Sequence, residues 1–132
     1  VCSPNNPTGN LIQREAIIEL LKANAIVVVD EAYSDFAGQS WISEIDQYPN
    51  MVVVQTFSKA RGMAGIRLGM AFGNPEILAV LDRIKPPYNV NILTQQVALK
   101  ALAEFDRKVI DSLLEERTKL EKTLASLPQI VK

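Results

Sequence analysis

The stretch TFSKARGMAGIRLG (residues 56–69) places a lysine, Lys59, four residues past the run MVVVQ, with Thr56 and Ser58 before it and Arg67 eight residues after it. A lysine at the end of a buried strand can act as a nucleophilic amine where burial or a neighbouring cation favours its neutral form. Taken singly, Lys59 reads more readily as a lysine that snorkels to water from a strand end. The company it keeps changes that weighting. Two hydroxyls and a guanidinium around one turn suit a phosphate dianion, which arginine binds bidentately. Gly62 and Gly65 would let the backbone approach such a ligand closely. No G-x-x-x-x-G-K-[ST] sequence occurs, so a nucleoside triphosphate loop is not indicated. An amine nucleophile beside a phosphate cradle points instead to a phosphorylated aldehyde.

A second stretch, VVVDEAYSDF (residues 27–36), runs from apolar residues into Asp30 and then Tyr33. Pyridoxal phosphate acts as an electron sink while its ring nitrogen stays protonated, and a carboxylate opposite that nitrogen keeps it so. Asp30 has the position for this, with Tyr33 three residues on to meet the ring's phenolic oxygen. Asn6, in the turn SPNNPTG, could hold the same oxygen from the other side. Each residue also has an ordinary use: Asp30 as a cap after a strand, Asn6 as a turn former before proline. It is their joint occurrence with Lys59 that favours the cofactor.

Composition narrows the chemistry further. The chain has 132 residues, 48% of them hydrophobic, and a net charge of −1. It is globular in composition, with room for one core. Nothing in the charge suggests a nucleic-acid or anionic-membrane surface, and no apolar run approaches the roughly 20 residues of a membrane span. Histidine is absent and Cys2 is the single cysteine. Ser-His-Asp and Cys-His chemistry are therefore excluded within this chain, a zinc site is disfavoured, and a reducing, cytoplasmic setting is the expectation. The first residue is Val and not Met, and the expectation is a fragment or a processed product.

The elements that must position these residues follow from periodicity. Asn10 and Gln13 read as N-cap and capping-box partner of a helix bearing Ile12, Ala16, Ile17, Leu20 and Leu21. AIVVVD (residues 25–30) and MVVVQT (residues 51–56) read as strands buried on both faces. RLGMAFG (residues 67–73) is a third strand, with Asn74 and Pro75 as cap and first residue of the next helix. Residues 92–127 read as one long helix, or two with a bend near Phe105-Asp106. The third strand follows a connection of about ten residues, short for a parallel crossover of a dozen or more, so it is expected to run antiparallel. Ligands of open α/β sheets sit beyond the carboxyl ends of parallel strands, which puts Asp30 and Lys59 in one crevice. Leu113, Leu114, Leu120, Leu124 and Leu127 drift from a strict heptad. The charges of residues 115–122 then form a solvated face with i, i+4 pairs.

SPNNPTG, VVVDEAYSDF and TFSKARGMAGIRLG resemble, in order and spacing, the motifs of fold-type I pyridoxal-phosphate-dependent aminotransferases, most closely the histidinol-phosphate aminotransferase subgroup. The resemblance implies an α/β fold, part of an aspartate-aminotransferase-like large domain, its sheet mostly parallel with one antiparallel strand. Residues 1–104 would be the central part of that domain. Residues 105–132 would be a helix leading to a smaller domain that is absent. By resemblance Lys59 binds the cofactor covalently and later moves the substrate proton, while Asp30 pairs with the pyridine nitrogen. Tyr33 and Asn6 contact the phenolic oxygen, and Thr56, Ser58 and Arg67 hold the phosphate. A cis Asn6-Pro7 bond is carried over with them. Tyr88 and Asn89 of KPPYNVN would approach substrate, unless that segment is only a proline-stiffened linker. Arg61 and Met70 depart from the subgroup, which often has an aromatic residue at the first position and tyrosine at the second.

The implied activity is transfer of an amino group from histidinol phosphate to 2-oxoglutarate, a step of histidine biosynthesis, by a homodimer in which this piece alone is inactive. The implied partners are a small-molecule amino donor and a 2-oxo acid. Two alternatives share every residue named: a lyase or decarboxylase such as a threonine-phosphate decarboxylase, and a cofactor-binding regulator domain.

Overall fold

The three apolar runs form one sheet. A computed structural model describes residues 1–127, with strands β1 (Val27–Asp30), β2 (Met51–Thr56) and β3 (Gly69–Gly73) in the order β1-β2-β3. β1 and β2 pair in parallel, Val27 opposite Met51 and Asp30 opposite Val54. β3 runs antiparallel to β2, from Thr56 opposite Gly69 to Val52 opposite Gly73. The antiparallel direction is as expected, although the 57–68 connection is longer than the sequence reading took it to be. On the outer flank of β1, residues 1–3 run parallel to it: Asp30 N–H donates to the Val1 carbonyl (2.7 Å) and Ser3 N–H to that of Asp30 (2.9 Å).

Side chains alternate across the strands. Val27 and Val29 of β1 and Met51 and Val53 of β2 meet Ile17 and Leu21 of helix α1 (Arg14–Leu21) in the main core. Fully burying one such side chain contributes about 1.5–3 kcal/mol. Ile12, Trp41, Ile42, Ile45, Tyr48 and Phe72 close its margins. The expectation of two faces buried holds for β2, whose Met51, Val52 and Val53 are all buried. It fails for β1, where Val28 is 43% exposed, because no described residue covers that face at the sheet's flank.

α1 begins three residues later than the Asn10 cap would require, with Gln13 at the N-cap position and no side-chain cap. Asn10 is engaged elsewhere: its carbonyl accepts from Asn5 N–H at 2.9 Å and its Oδ1 from the Thr8 hydroxyl. Asparagine side chains compete for turn bonds in this way, and here the turn wins. Between β1 and β2 lie the short helix α2 (Ser34–Ala37) and a 3₁₀ helix at Trp41–Gln47, which the sequence reading did not foresee. The guanidinium of Arg14 ties α1 to that 3₁₀ helix through both carboxylate oxygens of Glu44, and lies 4.5 Å from the Trp41 ring centroid.

Beyond β3, helix α3 (Pro75–Ile84) starts as expected, with the Asn74 Oδ1 accepting from Glu76 N–H at 2.8 Å. Helices α4 (Ile92–Glu104) and α5 (Lys108–Ala125) are separated at the expected bend. Asp106 restarts the chain by accepting from Lys108 N–H at 2.9 Å. Along α5, Arg117 pairs with Glu121 (3.5 Å) and Lys119 with Glu116 (2.6 Å), the solvated face read from the sequence. The leucine series of α5 is largely exposed, Leu113, Leu120 and Leu124 included; the last residues of the chain, after Leu127, lie outside the described structure.

Candidate active site

The carboxyl ends of β1 and β2 lie side by side, and three loops converge on them. The first is the turn after residue 3. Asn5 closes it by receiving Gly9 N–H (2.8 Å) at its carbonyl and by donating from Nδ2 to the Thr8 hydroxyl (2.7 Å). The Asn6-Pro7 bond is cis, as carried over from the resemblance, and so is Ser3-Pro4. Asn6 emerges from this turn with Nδ2 donating to the Tyr33 hydroxyl at 3.2 Å.

The second loop follows β1. Asp30 is half-buried, and its Oδ1 accepts from Ala32 N–H at 2.9 Å, which turns the chain toward Tyr33. Among the described residues its Oδ2 has no hydrogen-bond donor. The third loop follows β2. Thr56 donates its hydroxyl to the Leu68 carbonyl (3.2 Å) and accepts from Ser58 N–H (3.1 Å), which fixes the start of the lysine turn. Gly62 N–H closes the turn on the Lys59 carbonyl at 2.9 Å, and Gly62 has φ +65°, a conformation that glycine adopts without strain. That turn by itself requires a glycine. The Lys59 ammonium lies 5.3 Å from the Tyr33 ring centroid, within cation–π range. Among the described residues it has no ion-pair or hydrogen-bond partner.

Asn6, Tyr33 and Lys59 are therefore in one cluster, with Asp30 three residues before Tyr33 on the same loop and Thr56 and Ser58 at the base of the lysine turn. Arg67 stands apart. It is exposed, and its Nη1 donates to the Ala64 carbonyl three residues back at 2.9 Å. It has φ +53°, a left-handed conformation uncommon for a side-chain-bearing residue. Such conformations concentrate at functional sites. Tyr88 is 97% exposed with φ +55°, and touches none of the cluster.

Arg61, one of the two departures from the subgroup, lies between two aromatic rings. Its guanidinium lies 4.4 Å from the Phe105 ring centroid and 5.4 Å from that of Phe57, and pairs with Asp35 at 3.7 Å. It joins the lysine turn to α2 and to the α4–α5 bend. Next to the cluster is a cavity of about 670 Å³, bounded by Asn6, Pro7, Tyr33, Phe36, Leu113 and Arg117.

The sequence reading missed Glu31. It is 2% exposed, and its carboxylate accepts from the Ser40 hydroxyl (2.6 Å), Trp41 N–H (2.6 Å) and Gln55 Nε2 (2.9 Å). The signal was present in the strand period. Val27, Val29 and Glu31 share one face, as do Met51, Val53 and Gln55, so a carboxylate and an amide are the paired polar positions on a core face.

Comparison with known proteins shows the family. A family model described as aminotransferase class I and II matches residues 1–131, and the chain belongs to that family. The histidinol-phosphate aminotransferase of Cytophaga hutchinsonii is 53% identical over 132 residues, which is 97% of this chain and 38% of that protein. The crystal structure of the histidinol-phosphate aminotransferase from Clostridium acetobutylicum matches with a TM-score of 0.85 at 29% identity, over 100% of this chain and 42% of that one. L-threonine-O-3-phosphate decarboxylase from Porphyromonas gingivalis gives 0.71 at 31% identity over 81% and 34%. Histidinol-phosphate aminotransferase from Sinorhizobium meliloti, solved in complex with pyridoxal-5′-phosphate, gives 0.71 at 27% over 86% and 32%. The chain thus spans well under half the length of the relatives it matches. The α/β fold of fold-type I transferases, with its one antiparallel strand, is as the sequence reading expected.

Proposed function

We propose that this chain carries the cofactor-binding centre of a pyridoxal-phosphate-dependent aminotransferase that acts on histidinol phosphate and 2-oxoglutarate. The observation that carries the reading is the cluster of a primary amine over a phenol ring, Lys59 on Tyr33, with Asn6 bonded to the phenol. The donor set fits the cofactor. The Lys59 amine, which has no partner among the described residues, suits its aldehyde, the Asp30 carboxylate its ring nitrogen, and the Tyr33–Asn6 pair its phenolic oxygen. Thr56, Ser58 and Arg67 suit its phosphate. When bound, the cofactor supplies an electron sink for the substrate α-carbon.

The protein's share is positioning and proton transfer. With the cofactor bound, Lys59 Nζ would be the base that takes the proton from the substrate α-carbon. Tyr33 holds that ammonium over its ring by cation–π attraction. Asp30, fixed through Ala32 N–H, places its carboxylate beside the site. Arg67 would have to exchange its bond to Ala64 for the phosphate.

The relatives named as histidinol-phosphate aminotransferases support the substrate pair. The decarboxylase reading rests on a structural likeness alone and is not favoured. With the activity come the other parts of the proposal: a homodimer in the cytoplasm, residues 1–104 as the centre of the cofactor domain, and residues 105–132 as the link to a second domain. No described helix is long and apolar enough to cross a membrane. The test is an assay of the intact protein that carries this chain, with histidinol phosphate and 2-oxoglutarate, following glutamate. Glutamate formation that Lys59→Ala abolishes is expected. Release of carbon dioxide from a phosphorylated amino acid, without glutamate, would instead assign a decarboxylase.

A further inference from the structure

Glu31 presents a physical puzzle. It is buried, yet no Lys or Arg among the described residues lies within ion-pair distance. Burying an anion is costly unless its oxygens are fully bonded, and a well-packed apolar residue in such a place often stabilises a core as well or better. Stability alone therefore does not account for a carboxylate at position 31.

Its partners do. Gln55 belongs to the neighbouring strand and lies one residue before Thr56, as Glu31 lies one residue after Asp30. Because side chains alternate, Asp30 and Thr56 face one side of the sheet, and Glu31 and Gln55 face the other. The Gln55 amide donates to Glu31 at 2.9 Å, and Glu31 N–H donates to the Val54 carbonyl at 2.8 Å. The bond therefore joins the carboxyl ends of β1 and β2 directly behind the residues that face the crevice. The same carboxylate takes the Ser40 hydroxyl and Trp41 N–H, anchoring the return of the chain after α2, the helix that follows Tyr33. The Gln55 amide also reaches the Ser34 hydroxyl at 3.3 Å, at the start of α2.

We infer that the Glu31–Gln55 pair is a positioning device that sets the spacing of Asp30 and Tyr33 on one strand end against Thr56, Ser58 and Lys59 on the other. Neither residue touches the crevice. They act through the strand ends, where displacements of about 1 Å are enough to lose much of a site's effect. The inference rests on the pyridoxal phosphate reading above, and its substance is which residues hold that site in register.

The experiment uses the intact protein that carries this chain, freed of cofactor, and measures the pyridoxal phosphate dissociation constant by fluorescence beside the thermal midpoint. Gln55→Leu is expected to weaken binding about tenfold, the scale of one hydrogen bond to a charged group. Ser40→Ala, a milder change, is expected to weaken it less and stands in should Gln55→Leu not fold. The exchange Glu31→Gln with Gln55→Glu keeps an amide–carboxylate bond across the strands and is expected to return affinity to within about threefold of wild type. Asn50→Ala is the control. Its Nδ2 binds the carbonyls of Leu21 (3.0 Å) and Ala25 (2.9 Å) at the opposite end of the strands, so it should lower the thermal midpoint and leave affinity unchanged. Unaltered affinity in both single variants would overturn the inference, as would an exchange that fails to restore it or an equal loss in Asn50→Ala. Absence of binding by the wild-type protein would instead overturn the cofactor reading, and the inference with it.

Discussion

At the scale of single residues, the chain separates those that face chemistry from those that hold them. Asp30 and Glu31 are adjacent carboxylates with opposite surroundings: one keeps a free oxygen at the crevice, the other has three donors in the core. A strand's alternation is enough to produce that difference. Motif spacing singled out Lys59, Asp30, Tyr33 and Asn6, and the structure brings Asn6, Tyr33 and Lys59 into one cluster. The spacing did not reveal Glu31, since a charged residue beside a motif reads as surface until its strand face is assigned. Nor could it show that Arg67 bonds to Ala64, because loop conformation decides where a long side chain ends. Remote from the crevice, the hydrogen bonds from Arg14 hold the Glu44 carboxyl below its ordinary range and hold the Arg14 guanidinium above its own. A carboxyl depressed in the folded state contributes stability that is present above its unfolded value, about 4.3, and lost as pH falls through the folded value. Glu44→Gln should therefore lower stability at pH 7 and flatten the acid limb below about pH 4.3. Denaturant melts of both proteins from pH 3 to 7 check this; parallel curves would mean the pair contributes nothing.

Local elements were readable where one signal dominated. β2 runs over the expected Met51–Thr56, and α3 follows its Asn74-Pro75 start. α1 was misplaced because Asn10 had two uses, cap or turn partner, and only the folded turn of residues 5–10 decides between them. The 3₁₀ helix was hidden for a related reason: its first turn is held by the Ser40 hydroxyl, which accepts from Ile42 N–H, and by Glu31, a residue ten positions earlier than Trp41. The antiparallel approach of β3 to β2 depends on the absence of a side chain at Gly73. A Cβ there would lie 2.8 Å from the Met51 carbonyl oxygen, a backbone atom that cannot move aside. Gly73→Ala should therefore destabilise the sheet by about 1–3 kcal/mol, the usual scale of overpacking, measured by urea unfolding. A change under about 0.5 kcal/mol, the range of neutral surface substitutions, would show that the strands can separate without loss.

Taken whole, the molecule has one well-formed core between the sheet and α1, while much of the α3–α5 surface stays apolar. Ile84, Ile92, Leu93 and Leu99 are 63–73% exposed, more than isolated surface residues would explain. The Phe57, Ala98 and Ile110 side chains are buried outside the main cluster and, with Arg61 between Phe57 and Phe105, link the lysine turn to the α4–α5 bend. The expected consequence for the 132-residue chain expressed by itself is self-association: elution well above its 14.6 kDa mass and binding of an apolar dye. Monomeric elution without dye binding would mean that this surface is screened in solution.

The central claim is that Lys59 is the amine at a pyridoxal phosphate site. Its direct test is to incubate the intact protein that carries this chain with pyridoxal phosphate, reduce with borohydride, digest, and locate the added mass by peptide sequencing, with Lys59→Ala alongside. The account predicts a single label on the peptide containing Lys59 and none at that site in the variant. Label on other lysines only, or no label at all, would contradict it.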